Sequence, residues 1–590
     1  MLHYVQGCFV SLQTLWVSFE NLPAIYRRRP TASARRQSAQ ERYQAQADEQ
    51  AEEEMRNQQA EEEMRNQMRY EEAAGPFPGG PIDTSVLRSF KTHVAAAIWR
   101  GEEREVLKCH CLTAKLLRWQ PAEDSSVTWK TLVKKSGLLR LRKLAYRAPN
   151  RNLVSAFVER WHPETNSFHL PFGEMSITLE DVYCLTGLCI EGRPVEFAGE
   201  DVAGGQHMVR RLLGVSAEEA IAEVSDRGSY IKLKWLHSRF STLASSDDDF
   251  EVVYAARAFL VYILGCTLFT DKTGDRITCN YLRLFEDPEE FEGYAWGVAA
   301  LAFLYRQLGV GSRVGCRQMA GFLTLLEAWI YEHFPTLGRP QQNTDYRPGQ
   351  SFAMRWAQQA HGAVSKDAVR AYRLQLDTLR AEDVVWDPYV RLRDGGERPE
   401  VTFYEGCITA CDIVEPYLPD RVLRQFGRVQ TIPHPPLDPV VFRRGKKPGQ
   451  YRVIWGMLAS FYEQWESHKL ARERRGRVAY PAWACSPDYQ QWYESISHPR
   501  VQPEAAAPVV DPPMTVSPWD GIQSAIGYIE PLLTRWRAHD QDLSLPYVMS
   551  QVEEAFEALH FRTGHEQSET HSHREHEQGE SSSRRRRRRQ

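Results

Sequence analysis

The chain has 590 residues and a mass of 68.0 kDa, with 73 Lys and Arg against 77 Asp and Glu. Its 42% hydrophobic and 25% charged residues are typical of a soluble globular protein, which excludes a wholly disordered or collagen-like chain. The length allows up to roughly four domains. Because the formal net charge is only -4, any nucleic-acid binding must come from a local basic patch.

Residues 1–75 form a polar, Glu/Gln/Arg-rich leader of low complexity, which we expect to be disordered or only transiently helical. Its apolar stretch at 8–19 has no preceding basic region and no clear cleavage site, which argues against a signal peptide. The sequence QAEEEMRNQ occurs twice, at 50–58 and 59–67. A nine-residue period fits neither the heptad nor the eleven-residue repeat, so a regular coiled coil is not predicted.

Residues 76–503 carry hydrophobic periodicity typical of helices and few strand patterns, which predicts a large, mainly α domain with a few short strands. Residues 83–85 could cap a helix starting at Val86. Thr178 and Asp181 have the spacing of a capping box, and Gly187 would end that helix. Pro and Gly concentrate at 335–349, the best internal sub-boundary. Longer helices are predicted at 235–243, 252–268, 296–308, 322–334 and 367–380.

The apolar run 252–269 is nearly long enough to cross a bilayer, which takes about 20 residues. It contains Arg257, and acidic residues precede it. A charge at the centre of a membrane span costs at least ~2.5 kcal/mol, so we predict a buried core helix and no membrane partner.

After residue 503 the sequence predicts a Pro-rich linker and a short helical pair over 504–563, then a disordered His/Ser/Arg tail over 564–590. The tail ends in six arginines. Such a run can contact nucleic acid or direct import into the nucleus, although a merely solubilising tail is the alternative. These candidates are Arg584, Arg585, Arg586, Arg587, Arg588 and Arg589.

Eleven scattered cysteines without a CxxC pair favour reduced thiols in a cytosolic or nuclear protein. The run Cys109-His110-Cys111 has no second pair at zinc-finger spacing, so we predict no metal site. Glu174 lies near Asp181, but a structural role is favoured over acid–base chemistry: Glu174 would cap backbone N–H groups or pair with an arginine such as Arg193. The acidic run 247–249 is interpreted as a solvated loop.

No phosphate-binding loop, dinucleotide fingerprint or nucleophile elbow occurs in the sequence. We therefore predict no enzyme activity, no catalytic residue, no cofactor and no small-molecule substrate.

The stretch FVERWHPETNSFHLPFGEMSITLEDVYCLTGLCIEGRPV at 157–195 closely resembles the signature of the plant mobile domain family, also called the aminotransferase-like plant mobile domain. Further blocks follow in the family's order, including YAWG at 294–297, PDRV at 419–422, RQFG at 424–427 and ISHP at 496–499. The resemblance covers about 75–500. The matching positions include the signature residues Trp161, Gly173, Glu174, Asp181, Trp296, Gly297, Arg424 and Phe426.

The resemblance implies a nuclear setting, with roles in meristem maintenance, genome integrity and transposon silencing. Family members include maintenance-of-meristems-like host proteins and domains carried by plant transposable elements. No Lys lies between 272 and 366 to support an aminotransferase, and the metal-binding blocks of a phosphatase are absent. We expect a non-enzymatic nuclear interaction protein; the alternative is a transposon-encoded accessory enzyme related to nucleases or integrases.

The tryptophans spaced through the domain are interpreted as buried anchors, with base stacking as the alternative for any that are exposed. The densest basic region runs from Arg421, Arg424 and Arg428 to the candidate patch Arg443, Arg444, Lys446 and Lys447. It could bind nucleic acid or form a solvated face. The expected partners are therefore nuclear proteins, with nucleic acid as a candidate through local basic segments.

Overall fold

The computed structural model describes residues 79–503 apart from 145–148, 198, 226–228, 339, 348, 357–360, 394–397, 412, 437–442, 445–450 and 453–468. At 391, 443–444 and 451–452 only the backbone is described. The predictions for the leader, the linker and helical pair, Lys446, Lys447 and the arginine tail lie outside these residues. Apart from 444 and 451, the described residues belong to the larger of two compact units, which spans 75–443 and 452–590.

The architecture is mainly α, as the periodicity predicts, and the longest helix among the described residues has 18 residues. The helices are α1 (Val94–Trp99), α2 (Thr113–Leu116), α3 (Val127–Lys135), α4 (Leu141–Leu144), α5 (Arg151–Val158), α6 (Leu179–Thr186), α7 (Val202–Leu213), α8 (Ala217–Glu223), α9 (Leu233–Phe240), α10 (Asp249–Cys266), α11 (Trp296–Gly311), α12 (Leu323–His333), α13 (Lys366–Asp377) and α14 (Tyr489–Ile496).

Short 3-10 segments connect many of these helices, among them Phe90–Thr92, Cys279–Phe285 and Pro419–Phe426. The others are Leu138–Arg140, Leu243–Ser245, Pro288–Glu290, Phe352–Arg355, Ala381–Asp383, Val390–Leu392, Glu400–Phe403 and Arg472–Arg475.

The strands are short, and the described sheets have only two or three strands each. The strands are β1 (Lys108–Cys109), β2 (Trp161–His162), β3 (Ser167–Leu170), β4 (Gly173–Met175), β5 (Tyr230–Lys232), β6 (Arg276–Thr278), β7 (Gln318–Met319), β8 (Gly406–Ala410), β9 (Ile413–Tyr417), β10 (Arg443–Arg444) and β11 (Tyr451–Arg452). β1 and β7 pair in parallel, whereas β2–β3–β4, β5–β6 and β8–β9 are antiparallel.

The predicted capping box at the start of α6 is confirmed. The Thr178 hydroxyl accepts a hydrogen bond from the Asp181 N–H at 3.2 Å, and Asp181 Oδ2 accepts one from the Thr178 N–H at 2.6 Å. Gly187 ends the helix at a φ of 67°, in the left-handed region that glycine adopts without steric cost.

The predicted helix start at Val86 is wrong. α1 begins at Val94, where His93 Nδ1 accepts a hydrogen bond from the Ala95 N–H at 3.1 Å. Val86 and Phe90 are instead buried in a small core shared with α14. Tertiary burial of these side chains overrides the local helix pattern.

α10 confirms the interpretation of 252–268 as a buried core helix. Arg257 lies within it and donates hydrogen bonds to the backbone carbonyls of Phe285 at 2.7 Å, Glu286 at 2.6 Å and Leu212 at 3.1 Å. These contacts satisfy a buried guanidinium without a carboxylate. Among the described helices, none combines the length and the apolar character that a membrane crossing requires.

The main hydrophobic core contains residues from both sides of 335–349, for example Leu301 and Trp386. The separation of the two sides into folding units stays a prediction. Five tryptophans interpreted as anchors are buried, which confirms that interpretation for them: Trp161, Trp235, Trp296, Trp329 and Trp356. The sixth, Trp492, is partly buried and packs against the small core of α1 and α14.

Candidate functional site

Four of the signature residues, Trp161, Gly173, Glu174 and Arg424, lie in or against the three-stranded sheet β2–β3–β4. Its register places His169 opposite Glu174 and Leu170 opposite Gly173. The 3-10 segment Pro419–Phe426 packs against β4 from a position almost 250 residues downstream. We call the polar side chains enclosed here, Ser167, His169, Glu174, Arg421 and Arg424, the buried polar centre.

A fully buried ion pair joins Glu174 to Arg421. Arg421 Nη1 donates to Glu174 Oε1 at 2.6 Å, and the Ser167 hydroxyl donates to Glu174 Oε2 at 2.6 Å. Burial raises the pKa of Glu174, and the charge of Arg421 opposes that rise. The prediction that Glu174 pairs with an arginine is confirmed, but the named partner is wrong, because Arg193 pairs with Glu290 at 2.8 Å.

Arg424 lies inside a box of aromatic rings. Its guanidinium carbon is 4.4 Å from the ring centroid of Trp386 and 5.4 Å from that of Tyr489. Nη1 donates to the carbonyl of Phe172 at 3.0 Å, whereas Nε and Nη2 have no hydrogen-bond acceptor among the described residues. The aromatic faces therefore add cation–π attraction to the hydrogen bond that holds this buried cation.

Gly173 is required by the aromatic box. Its φ is 133°, which L side chains rarely adopt, and a Cβ built there would overlap Arg424 Nη2 and lie 2.7 Å from the hydroxyl of Tyr489. The glycine therefore lets strand β4 approach Arg424 closely. This contact explains why a glycine and an arginine occur together in the signature.

The other signature residues also make structural contacts. Asp181 Oδ1 lies 2.9 Å from His333 Nε2, in addition to its role in the capping box. Trp296 Nε1 donates to the carbonyl of Ser136 at 3.2 Å. The Gly297 N–H donates to the carbonyl of Cys189 at 2.8 Å, and a Cβ at Gly297 would lie 2.9 Å from that oxygen. Phe426 packs edge-on against Phe403, with centroids 5.2 Å apart.

A second cluster, His93, His162 and His498, was not predicted from the sequence. It joins the segment before α1, strand β2 and the segment after α14, and all three rings are buried. His162 Nε2 and His498 Nε2 lie 2.5 Å apart, so one neutral ring must donate to the other. The next polar ring is His169, whose Nδ1 lies 2.7 Å from the Ser497 hydroxyl.

Three imidazoles with ligand atoms within 4.8 Å of one another can bind a metal ion, but this geometry does not fit one. The rings of His93 and His162 stack, with centroids 4.1 Å apart and planes at 22°. Ring nitrogens coordinate in the ring plane, so two stacked rings do not converge on one ion. His93 Nδ1 also accepts from the Ala95 N–H, and Nε2, 2.8 Å from the Trp161 carbonyl, donates to it.

The histidine cluster should make the fold sensitive to acid. Burial lowers the pKa of His93 to about 4 and the pKa values of His162, His169 and His498 well below the ordinary value. Between about pH 6.5 and 4 these histidines therefore bind protons in the unfolded chain but not in the folded chain, so their contribution to stability falls as the pH falls. The lowered pKa values also reflect nearby positive charges, those of Arg104, Arg160 and Arg421. The raised pKa of Glu174 has the opposite effect on the pH dependence of stability.

We predict that His162→Gln/His498→Gln flattens the dependence of the unfolding free energy on pH in this range. Each histidine removed should reduce the slope by up to about 1.4 kcal/mol per pH unit. Denaturant unfolding at several pH values measures the slope, and His207→Gln, at an exposed position, is the control. Equal slopes in the double variant and the unmutated chain would contradict the prediction.

The Cys109-His110-Cys111 run does not converge on one point. Cys109 lies in β1, and burial raises the pKa of its thiol to about 12. His110 Nε2 lies 2.9 Å from Gln318 Oε1, and Cys111 Sγ lies 3.2 Å from the Thr113 hydroxyl. The acidic run at 247–249 is exposed, and Asp248 caps α10 by accepting from the Phe250 N–H at 2.8 Å.

The predicted basic region needs correction. Arg421 and Arg424 are each only 1% exposed, so neither can contact a partner. They are buried because Glu174 and the aromatic box hold them. Arg428 is half-buried and reaches the surface. Strand β10 contains Arg443 and Arg444, for which the structure describes only the backbone.

A small polar cavity of about 10 Å³, enough for roughly one water molecule, is lined by Ser167 and Arg421, the two partners of Glu174. It is too small for a substrate. Most buried carboxylates of the described chain are held by arginines, as in the pairs Glu159–Arg373, Glu180–Arg393, Glu332–Arg355, Asp377–Arg160 and Glu415–Arg306.

Two buried glutamates of α12 have unusual pKa values. Burial raises the pKa of Glu327 and of Glu332 to about 7. Glu327 accepts hydrogen bonds from the Tyr331 hydroxyl at 2.6 Å and the Asn150 N–H at 3.0 Å. Both carboxyl groups are enclosed by protein, so their geometry indicates structural contacts rather than acid–base chemistry on a substrate.

Comparison with known proteins identifies the family to which the chain is similar. The model of the plant mobile domain matches residues 137–494. The Arabidopsis thaliana protein MAIN-LIKE 1 is 36% identical over 72% of this chain and 81% of its own length, and the protein MAINTENANCE OF MERISTEMS is 33% identical over 70% and 83%. A serine/threonine-protein phosphatase 7 long form homolog is 31% identical over 72% of this chain but only 32% of its own length. No solved structure matches.

Proposed function

Because this chain belongs to the plant mobile domain family, we propose that it is a non-enzymatic nuclear interaction protein that acts in meristem maintenance. By the same proposal it contributes to genome integrity and transposon silencing. One relative is named for meristem maintenance, and its similarity covers most of both chains.

The observation that carries the proposal is the burial of the signature. Glu174, Arg421 and Arg424 are the charged side chains at its centre, and they are at most 1% exposed. A catalytic group must reach its substrate within hydrogen-bond distance, directly or through one water. Side chains enclosed in this way instead fix the relative positions of β4, α14 and the segment Pro419–Phe426. The role supported here is a scaffold whose surface makes the contacts.

The rival function is a transposon-encoded accessory enzyme related to nucleases or integrases. It requires carboxylates brought together around divalent metal ions. In the described chain the buried carboxylates contact arginines, histidines or capping groups, an arrangement that favours the interaction protein. Two measurements on the full chain distinguish the two functions: calorimetric titration with Mg²⁺ and Mn²⁺, and a DNA cleavage assay with the same metals. The rival requires both metal binding and metal-dependent cleavage of DNA.

The proposal is tested in an Arabidopsis thaliana line that lacks the protein MAINTENANCE OF MERISTEMS. The full chain, fused to a fluorescent protein, should accumulate in nuclei and restore meristem growth. A matched variant with Arg584–Arg589 replaced by glutamine should lose nuclear accumulation if this run is the import signal. Exclusion of the unmutated chain from nuclei, or nuclear accumulation without any restoration, would overturn the proposal.

A further inference from the structure

A cationic surface lies apart from the buried polar centre, where residues 427–429 run antiparallel to residues 477–479. The Val429 N–H donates to the carbonyl of Arg477 at 3.0 Å, and the Ala479 N–H donates to that of Gly427 at 2.9 Å. Arg428 is bridged to Val478 in this pairing. We call Arg428, Arg472, Arg477 and Tyr480 the cationic edge.

Arg428 has cationic neighbours and no anionic partner. It is half-buried, and its side chain forms no ion pair or hydrogen bond with any described residue. Burial lowers the pKa of Arg428, and the positive charges of Arg398 and Arg475 lower it further. Both neighbours already have carboxylate partners, since Arg398 contacts Glu180 at 3.0 Å and Arg475 contacts Glu400 at 2.9 Å.

Two more arginines belong to the cationic edge. Arg477 directly precedes Val478, the residue bridged to Arg428, and Arg472 lies in the same 3-10 segment as Arg475. Both are exposed, and neither forms an ion pair within the described residues. The hydrogen bond from Arg475 lowers the pKa of Glu400, and the charge of Arg472 lowers it further, but the ion pair of that carboxylate is with Arg475. Arg428 is half-buried near Arg398 and Arg475, and like charges repel one another more strongly when they are partly desolvated than in water. An anion bound beside Arg428 would offset that repulsion, so the edge is suited to a negatively charged ligand.

Exposed apolar groups accompany these charges. The side chain of Tyr480 is 68% exposed and that of Val478 is 61% exposed. An exposed aromatic ring beside several arginines combines the two contacts that proteins use for single strands, namely stacking on bases and binding of phosphates. An acidic peptide would form ion pairs with the arginines, but its carboxylates would not stack on the ring.

We infer that the cationic edge binds single-stranded nucleic acid, with Arg428, Arg472 and Arg477 contacting phosphates and Tyr480 stacking on a base. The inference stands on these residues and does not depend on the meristem role. The arginine tail could bind nucleic acid as well. It is therefore neutralised, with Arg584–Arg589 replaced by glutamine, in every protein of the test.

The test compares Arg428→Gln/Arg472→Gln/Arg477→Gln with a control of equal charge change at exposed positions elsewhere, Lys134→Gln/Lys143→Gln/Arg210→Gln. Fluorescence anisotropy with labelled oligo-U and oligo-dT, at 50 and 200 mM salt, reports affinity. The first variant should weaken binding at least tenfold at 50 mM salt and lower the slope of log K against log salt by about 2, whereas the control should bind like the parent chain. Circular dichroism confirms that both variants are folded.

Tyr480→Ala provides the second arm. Loss of stacking should weaken binding about 5- to 100-fold and leave the salt slope unchanged, because no charge is removed. Three outcomes would overturn the inference: no binding by the parent chain, equal loss in the edge and control variants, or binding of a polyglutamate peptide at the edge in place of the oligonucleotides. A preference between oligo-U and oligo-dT would assign the edge to RNA or DNA.

Discussion

Replacing Arg421 by methionine is expected to lower the free energy of unfolding by about 3–5 kcal/mol. The substitution leaves Glu174 fully buried without its cationic partner, 2.6 Å away in the unmutated chain. A carboxylate in that position must either remain charged at high cost or take up a proton, because little water reaches it. Guanidinium unfolding followed by circular dichroism measures the change.

The double variant Glu174→Gln/Arg421→Met distinguishes a buried ion pair from a general packing defect. Glutamine keeps an oxygen that can accept from Ser167, and methionine approximates the apolar part of arginine. Removing both charges together can be nearly neutral, so the double variant should recover most of the stability that Arg421→Met loses. A single variant that loses less than about 1 kcal/mol, or a double variant with the summed losses, would contradict this account.

Replacing Gly173 by alanine should also destabilise the fold strongly. The new Cβ would overlap Arg424 Nη2, and the backbone at a φ of 133° disfavours any L side chain. Gly427→Ala is the matched control, because Gly427 also has a positive φ, 67°, but nothing lies within 4 Å of its Cβ position. We expect a loss of about 1–2 kcal/mol at 427 and a further loss of about 1–3 kcal/mol at 173.

The difference between the two glycine variants combines the steric overlap at 173 with the additional backbone strain of a φ of 133° over one of 67°. It is measured under the same unfolding conditions, with circular dichroism as the readout. Equal losses would show that the aromatic box does not constrain Gly173. A melting curve for Arg424→Met adds a second check, since removing the guanidinium head should make the subsequent Gly173→Ala substitution less costly.

The parts of the fold that depend on local sequence could be predicted. Thr178 and Asp181 are three residues apart, so their capping box requires only the helix that they begin. The run around Arg257 contains too many apolar residues to be exposed, and its arginine made a membrane span unfavourable. The tryptophans were interpreted correctly because large aromatic side chains gain most from burial.

The site could not be assembled from the sequence because its partners are distant. Glu174 and Arg421 are 247 positions apart, and His162 and His498 are 336 apart. Spacing alone cannot choose Arg421 over a nearer arginine such as Arg193. The histidines did carry one indication, because His162 and His169 flank a hairpin turn, but His93 and His498 join them only when both ends of the domain pack together.

The exposure of basic residues is hard to predict for a related reason. Arg421, Arg424 and Arg428 look equivalent in sequence, which predicts one exposed basic region for all three. Ion pairing buries Arg421, and aromatic rings bury Arg424, whereas Arg428 lies just beyond the end of that segment, where the chain pairs with residues 477–479. A charged side chain need not be exposed when partners that are distant in sequence compensate the cost of burying its charge.

The most direct measurement is meristem growth in the meristem-deficient plant line when it expresses Glu174→Gln/Arg421→Met in place of the unmutated chain. The free energy of unfolding of the same variant is measured on purified protein. If these two side chains serve only to hold the domain together, a variant that regains stability will also regain meristem growth. A variant that is as stable as the unmutated chain and accumulates in nuclei, yet leaves the meristems defective, would show that the pair has a chemical role of its own.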